Sequence, residues 1–180
     1  KTPPTQHKPR RHQTEAIRST MAAAPQAISQ TGKCHCGEVE YKVEGTVLFN
    51  GLCHCPNCTR ARGTSPIHII GVAPKTCVTI TKGADKLTTW DNGGRNNRVF
   101  CSKCGCLLNQ GPPGADFRAI PPTTFHISDG VNCKLPAEYQ PKAHVNYENR
   151  TFDWNDDLPK FKTFPGPDGA MLNSDGSVKA

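Results

Sequence analysis

Seven of the chain's ten cysteines are bunched into three short clusters, and any fold of this chain must reconcile those thiols with one another. The clusters are Cys34-His-Cys36-Gly, Cys53-His-Cys55-Pro-Asn-Cys58 and Cys101-Ser-Lys-Cys104-Gly. Thiols two or three residues apart let the backbone bend round a metal ion with both sulfurs facing inward, and the adjacent Pro and Gly supply the turn. A disulfide within a pair is opposed by its demand for a particular Cα separation, which close neighbours on an extended chain seldom offer. A secreted disulfide framework is opposed as well, because Met21-Ala-Ala-Ala-Pro and its surroundings lack the apolar stretch of roughly 7–15 residues that a secretory signal needs. Thiolates at this spacing favour zinc, with an iron–sulfur cluster as the weaker reading.

Seven sulfurs divide into four and three. Cys34, Cys36, Cys101 and Cys104 make a closed four-sulfur set that joins two distant turns and serves structure, since no coordination position is left over. Cys53, Cys55 and Cys58 supply three ligands within six residues and leave a fourth position for water or a substrate atom. Three thiolates on a dication give a formal charge of about −1. Such a site is better suited to holding an incoming thiolate than to making hydroxide.

The rest of the 180-residue chain explains why a metal would be needed. Hydrophobic residues are 35% of it, while Gly and Pro number 16 each. So lean and turn-rich a chain argues against a helical bundle or a large doubly wound α/β domain, and structural zinc offsets a small core because metal binding then contributes to folding. Val39, Tyr41 and Val43 alternate with charged neighbours in the period of a half-buried strand, which Gly45 is expected to end. Short β-branched or apolar runs follow at 47–52, 67–72, 77–81, 86–90, 98–101, 124–127 and 143–147, separated by turn clusters such as Asp91-Asn92-Gly93-Gly94. The expectation is one all-β, zinc-stabilised domain over residues 31–165, an open barrel or sandwich of short strands. Residues 1–30 read as a disordered basic tail and 166–180 as a loose C-terminal tail.

The net charge is +7, and Lys1, Lys8, Arg10, Arg11 and Arg18 against Glu15 place +4 of it in the first 31 residues. No basic stripe is interleaved with aromatics, so nucleic acid is set aside as the main partner. No apolar run reaches the roughly 18 residues of a membrane span. Residues 1–20 read either as an organelle-targeting leader or as sequence upstream of a start at Met21; otherwise a reducing, cytoplasmic setting is expected from the reduced thiols.

Gly32-Lys-Cys34-His-Cys36-Gly, Cys53-His-Cys55-Pro-Asn-Cys58-Thr and Phe100-Cys101-Ser-Lys-Cys104-Gly, in this order, resemble the glutathione-dependent formaldehyde-activating enzyme family, which includes centromere protein V. Lys82-Gly83, Pro141-Lys-Ala-His144 and the stretch from Trp154 to Phe161 extend the resemblance over about residues 32–166. The resemblance implies a zinc-containing all-β fold with two zinc ions per chain. The structural one would sit at Cys34, Cys36, Cys101 and Cys104, and the second at Cys53, Cys55 and Cys58, where the glutathione thiol is held. It implies glutathione as co-substrate, a small electrophile or its glutathione adduct as partner, and carbon–sulfur lyase or synthase chemistry. The other reading is a zinc-stabilised interaction module like centromere protein V, its basic tail contacting chromatin or cytoskeleton.

Cys106 departs from the pattern; it reads as a buried free thiol, like Cys77 and Cys133, or as a fourth ligand that closes the second site. Arg60 and Arg62 are candidates to meet glutathione carboxylates, or are solvated arginines. His144 is a substrate-site candidate against a reading as a satisfied core histidine. His35 and His54, lying between ligands, are expected to point away from the metal, and Trp90 and Trp154 to be core or rim aromatics. Freshly purified, reduced protein should contain two zinc ions by elemental analysis. Cys34→Ser or Cys104→Ser should unfold it, and one metal or none, or folded mutants, would count against the partition.

Overall fold

The computed structural model describes residues 26–128, 134–165 and 169–179. Residues 1–25 of the tail expected over residues 1–30, and the Cys133 thiol, lie outside the described residues. The described chain is all-β and open. In order it runs β1 (Gln26–Lys33), β2 (Glu40–Cys53), helix α1 (Pro56–Arg62), β3 (Ile67–Ala73), β4 (Val78–Lys82), β5 (Leu87–Asp91), β6 (Asn97–Cys101), β7 (Leu107–Gly111), β8 (Arg118–Ile120), β9 (His144–Val145), β10 (Lys160–Phe161) and β11 (Met171–Leu172).

These strands form one mixed sheet in the order β11-β10-β9-β2-β3-β8-β7-β6-β5, with β1 and β4 also paired to β2. β9 runs parallel to both β2 and β10, and the other pairs are antiparallel. β2 is the shared member. Residues 40–43 bond β1 on one edge and β4 on the other, residues 46–47 bond β1 and β3, and residues 52–53 bond β3 and β9. One long strand thus carries three successive pairs of neighbours, with a register shift between Val47 and Phe49 where the pairing with β1 ends.

Several expectations change here. Gly45 does not end a strand but lies inside β2, because a Cβ there would strike the Ala73 carbonyl and the Val72 side chain; the glycine marks close approach of two backbones. Residues 26–30 of the expected tail are folded, pairing with residues 43–47 as part of β1. At the other end Met171 and Leu172 pair with β10, and Leu172 bridges Val178, so the expected loose tail contains a folded piece. Residues 124–127 form 3₁₀ turns around Phe125 rather than a strand.

The main core gathers Ile28, Val39, Tyr41, Val43, Ile70, Val72, Leu108, Ile120, Phe125 and Tyr139 together with Cys34 and Cys101. The first sulfur group is therefore set into the core itself. A smaller apolar cluster holds Cys53, Cys58, Ile67, Ile69, Ala119 and Val145, with Phe49 and Phe117 against it. Within the main core the Thr124 hydroxyl donates to the Pro121 carbonyl, which leaves the Tyr41 hydroxyl as donor in its 2.6 Å bond to Thr124 Oγ1. Tyr41→Phe should cost about 1 kcal/mol, read as a lower urea midpoint with an unchanged slope.

Candidate metal and thiol site

The two ends of the first sulfur group are built alike. Cys34 N–H donates to the Val39 carbonyl at 2.9 Å, and Cys101 N–H to the Cys106 carbonyl at 3.0 Å, so each forms a loop closed across five residues. Each loop turns on a glycine with positive φ, Gly37 at 75° and Gly105 at 71°, a conformation that suits a residue without Cβ. Cys34 and Cys36 sulfurs lie 3.5 Å apart and Cys36 and Cys101 sulfurs 3.8 Å apart, with all four sulfurs mutually within 4.8 Å. Four thiolates about one zinc ion would have sulfur–sulfur edges of about 3.8 Å, so these residues fit such an ion. The Val39 N–H points at Cys34 Sγ from 3.3 Å, a donor suited to a thiolate.

The second group is Cys53, Cys55 and Cys58, again mutually within 4.8 Å. Cys53 ends β2, Cys55 is the N-cap of α1, and Pro56 opens the helix, so that Cys58 comes round one turn later. The Cys58 N–H donates to Cys55 Sγ at 3.3 Å, the Gln110 amide to Cys58 Sγ at 3.4 Å, and the Asn146 amide to Cys53 Sγ at 3.6 Å. Donors thus reach every sulfur. Hydrogen bonds from Cys53 and Cys58 hold the Cys55 thiol at about 3, while Cys53 is pushed upward as the partner that keeps its proton. Cys106 does not join this group: it packs against the main core, with its sulfur 3.7 Å from the Leu107 carbonyl. The two sulfur groups are those expected from the cluster spacing.

Two cavities adjoin the second group. A chamber of about 270 Å³ is lined by the three cysteines and by Phe49, Ile69, Gln110 and Phe117 among others. A larger cavity of about 870 Å³ beside α1 is lined by Arg60, Arg62, Arg95 and Arg98 with Trp90 and Phe100. Asn57 and Arg95 line both. Among the described residues no carboxylate is in ion-pair range of these four arginines, so the cavity is positive and unneutralised. Arg98 is 5% exposed; it donates to the Asn57 carbonyl at 2.7 Å and to Asn57 Oδ1 at 3.0 Å, and lies 5.0 Å from the Trp90 ring centre. Arg60 and Arg62, the candidates to meet glutathione carboxylates, line this larger cavity, and Trp90, expected as core or rim, is half exposed on the same wall.

His144 does not line either cavity. It is fully buried, with its Nδ1 2.8 Å from His54 Nε2 and its Nε2 2.8 Å from Asp156 Oδ2. His54, expected to point outward between ligands, is also fully buried, with Tyr147 edge-on to it. Buried Lys160 completes the line, donating to Asp156 Oδ1 at 2.7 Å. Burial raises the Asp156 carboxyl, but the hydrogen bonds from Lys160 and His144 outweigh that and hold it below its usual range. An ionised Asp156 accepts, so His144 carries its proton on Nε2, its Nδ1 accepts, and His54 donates from its own Nε2. The line runs behind the second cysteine loop, and His54 N–H bonds the Val145 carbonyl at 3.0 Å.

Sequence reasoning missed Gln110, Asn146, Arg95, Arg98, Asp156 and Lys160. Asn109-Gln110 directly after Leu107-Leu108 was the available signal: polar residues inside a strand whose five positions are all buried.

An all-β protein with one closed four-sulfur group and one three-sulfur group opening on a chamber is thus the class that fold and site define. The family model for "glutathione-dependent formaldehyde-activating enzyme" matches residues 29–149, and the chain belongs to that family. Fungal proteins bearing the family's name are similar to it: one from Fusarium vanettenii is 38% identical over 76 residues, and one from Emericella nidulans 34% identical over 77. The aligned stretch is 42% of this chain in both cases and 40% and 39% of those relatives, so the chain spans about two fifths of their length. A crystal structure of a Rhodobacter sphaeroides protein superposes with TM-score 0.48 at 24% identity, over 64% of this chain and 99% of that one. Among the described residues no helix is long and apolar enough to cross a membrane.

Two buried imidazoles and a half-buried one make stability depend on pH. His54, His68 and His144 are all held below the ordinary range by burial, the first two at about 4. The unfolded chain takes up protons near pH 6.5 that the folded chain refuses until about pH 4. Stability from these groups is therefore present above pH 6.5 and is lost as pH falls toward 4. His68, whose Nε2 bonds Asn50 Oδ1 at 2.7 Å, takes no part in either sulfur group or in the His54–His144–Asp156 line. Between pH 7 and pH 5 its share is about 1–2 kcal/mol. His68→Asn should flatten the pH dependence of the urea midpoint by that amount, and an unchanged slope would show that His68 does not carry it.

Proposed function

We propose that the chain binds two zinc ions and forms or breaks a carbon–sulfur bond in adducts of glutathione with small electrophiles. The observation that carries this is the convergence of three sulfurs on an apolar chamber beside an unneutralised arginine cavity. The four-sulfur group takes the structural ion and the three-sulfur group the second. A zinc ion held by three thiolates supplies a position that keeps an added thiol ionised yet nucleophilic. Everything else falls to the chain. Gln110, Asn146 and the Cys58 N–H fix the sulfurs, and the apolar walls of Phe49, Ile69 and Phe117 exclude water from the reacting thiol. Arg60, Arg62, Arg95 and Arg98 match the carboxylates of glutathione, which fits the larger cavity. With formaldehyde the thiol adds across the carbonyl: a carbon–sulfur bond forms, the proton ends on oxygen, and S-hydroxymethylglutathione results. The reverse step releases the aldehyde. Free thiolate ligands call for a reducing compartment such as the cytoplasm.

Cys55→Ser should keep its β-sheet circular dichroism and most of its melting temperature, because the four-sulfur group is intact, while adduct turnover falls at least about 100-fold. In cobalt-substituted protein, glutathione should raise the sulfur-to-metal absorption and S-methylglutathione should not. Retained turnover in Cys55→Ser, or a cobalt spectrum indifferent to glutathione, would overturn the assignment, and the second result would favour the interaction module.

A further inference from the structure

The chamber at the three sulfurs has apolar walls, and two of the residues that line it, Gln110 and Asn96, each carry a buried oxygen with nothing to bond. Gln110 is 3% exposed, and its amide nitrogen donates to Cys58 Sγ. A sulfur that accepts fixes which way the amide faces, so Gln110 Oε1 is the free end, and it is buried with no donor. Asn96, 9% exposed and on the wall of the same chamber, has a buried Oδ1 in the same condition. Buried acceptors without donors are costly, and native proteins keep few of them. A ligand that reaches the sulfurs is therefore favoured if it brings a hydrogen-bond donor close to its own sulfur.

Aldehyde adducts of a thiol have that donor. When a thiol adds across an aldehyde, the sulfur bonds to the carbonyl carbon, the carbon–oxygen double bond becomes single, and the thiol proton finishes on the oxygen. The product is a hemithioacetal, with a hydroxyl one carbon away from sulfur and no change of oxidation state overall. A simple thioether adduct carries no such group. The walls bear on what else the carbon carries. A hydroxymethyl group has two heavy atoms and displaces about two water volumes, roughly 60 Å³, whereas the chamber is about 270 Å³. Phe49, Phe117 and Phe164 meet edge to face there, with ring centres 5.5 and 6.2 Å apart, and Ile69 and Pro112 complete the lining. The charged peptide portion suits the arginine cavity, which meets the chamber at Asn57 and Arg95. The remaining apolar space is then left for the substituent.

We infer that Gln110, with Asn96, receives the hydroxyl of the adduct, and that the substrates are hemithioacetals of glutathione whose carbon bears an apolar group, so that aldehydes larger than formaldehyde belong to the class. This rests on the glutathione-adduct reading of the same site. Gln110 is here a specificity-determining residue, selecting hydroxyl-bearing adducts over thioethers.

Exchange NMR between free aldehyde and hemithioacetal, with the zinc-loaded protein and glutathione, measures turnover of formaldehyde and of butanal. S-ethylglutathione, which places a methyl where the hydroxymethyl adduct has its hydroxyl, serves as a stable competitor. Butanal should be turned over with a kcat/KM at least equal to that of formaldehyde, and S-ethylglutathione should bind about tenfold or more weaker than the hydroxyl-bearing adduct. Gln110→Leu should lower kcat/KM for both aldehydes about tenfold while S-ethylglutathione binds as well as before or better, a divergence that a merely structural defect would not produce. Equal binding of the two ligand types by the wild type, or strict preference for formaldehyde, would overturn the inference while leaving the proposed function standing. Absence of turnover or binding with every glutathione adduct would overturn both.

Discussion

The joining of Cys34 and Cys36 to Cys101 and Cys104 is the contact on which the rest depends. It closes a loop of more than sixty residues, and its buried members, Cys34 and Cys101, are packed with Val39, Tyr41 and Leu108 in the main core. Two rigid elements lead away from it. β2 starts just past the first cysteine loop and ends at Cys53, and the β6–β7 hairpin turns through the second loop and ends beyond Gln110. Arg98 and Gln110 are cross-strand partners in that hairpin and share one face. One bonds Asn57, the other Cys58, so the hairpin grips the loop that carries the three remaining sulfurs. The register set at the four-sulfur group is therefore transmitted to the three-sulfur group through ladder hydrogen bonds.

This arrangement explains what periodicity could and could not show. The cysteine spacing was legible because ligand geometry dictates it locally, and the strands at 67–73, 78–82, 87–91 and 97–101 were legible because β-branched and apolar residues alternate or cluster in them. β7 was not, since Asn109 and Gln110 are buried in it and break the apolar run. β1 was hidden for the opposite reason: Gln26, Ser29, Gln30 and Thr31 read as tail, and only Ile28 and Gly32 face the interior. Helix α1 is seven residues long and owes its existence to Cys55 capping and Pro56 at its start rather than to an amphipathic pattern. The His54–His144–Asp156–Lys160 line spans distant segments, and no spacing within a single window could announce it.

That line also accounts for a buried lysine, Lys160, in a small protein. Asp156 and Lys160 neutralise one another across one i,i+4 step, and Lys160 is further satisfied by the Asp156 and Leu158 carbonyls. A lysine so thoroughly bonded is tolerable out of water, whereas removal of Asp156 would leave its charge uncompensated. Its consequence for the site is orientation. With Asp156 ionised, each imidazole has one allowed tautomer, and His54 is held by a ring hydrogen bond and a backbone hydrogen bond while its neighbours Cys53 and Cys55 carry the ligand sulfurs.

Exposure and reactivity run in opposite directions across the two sulfur groups. Cys36 is exposed and Cys104 partly so, yet each faces three other sulfurs, and a closed tetrahedral set offers an incoming thiol nothing to bind. Cys53 and Cys58 are buried, but their group is one sulfur short of four and faces a chamber instead of bulk water. A ligand arriving there leaves water before it meets sulfur, and its charged ends pass arginines that no carboxylate among the described residues neutralises. Selectivity at such a site comes from the approach as much as from the sulfurs. On the proposed function, small neutral electrophiles would gain little from the arginine wall and an anionic thiol peptide most, so the thiol would be loaded first and the electrophile admitted afterwards through the apolar side.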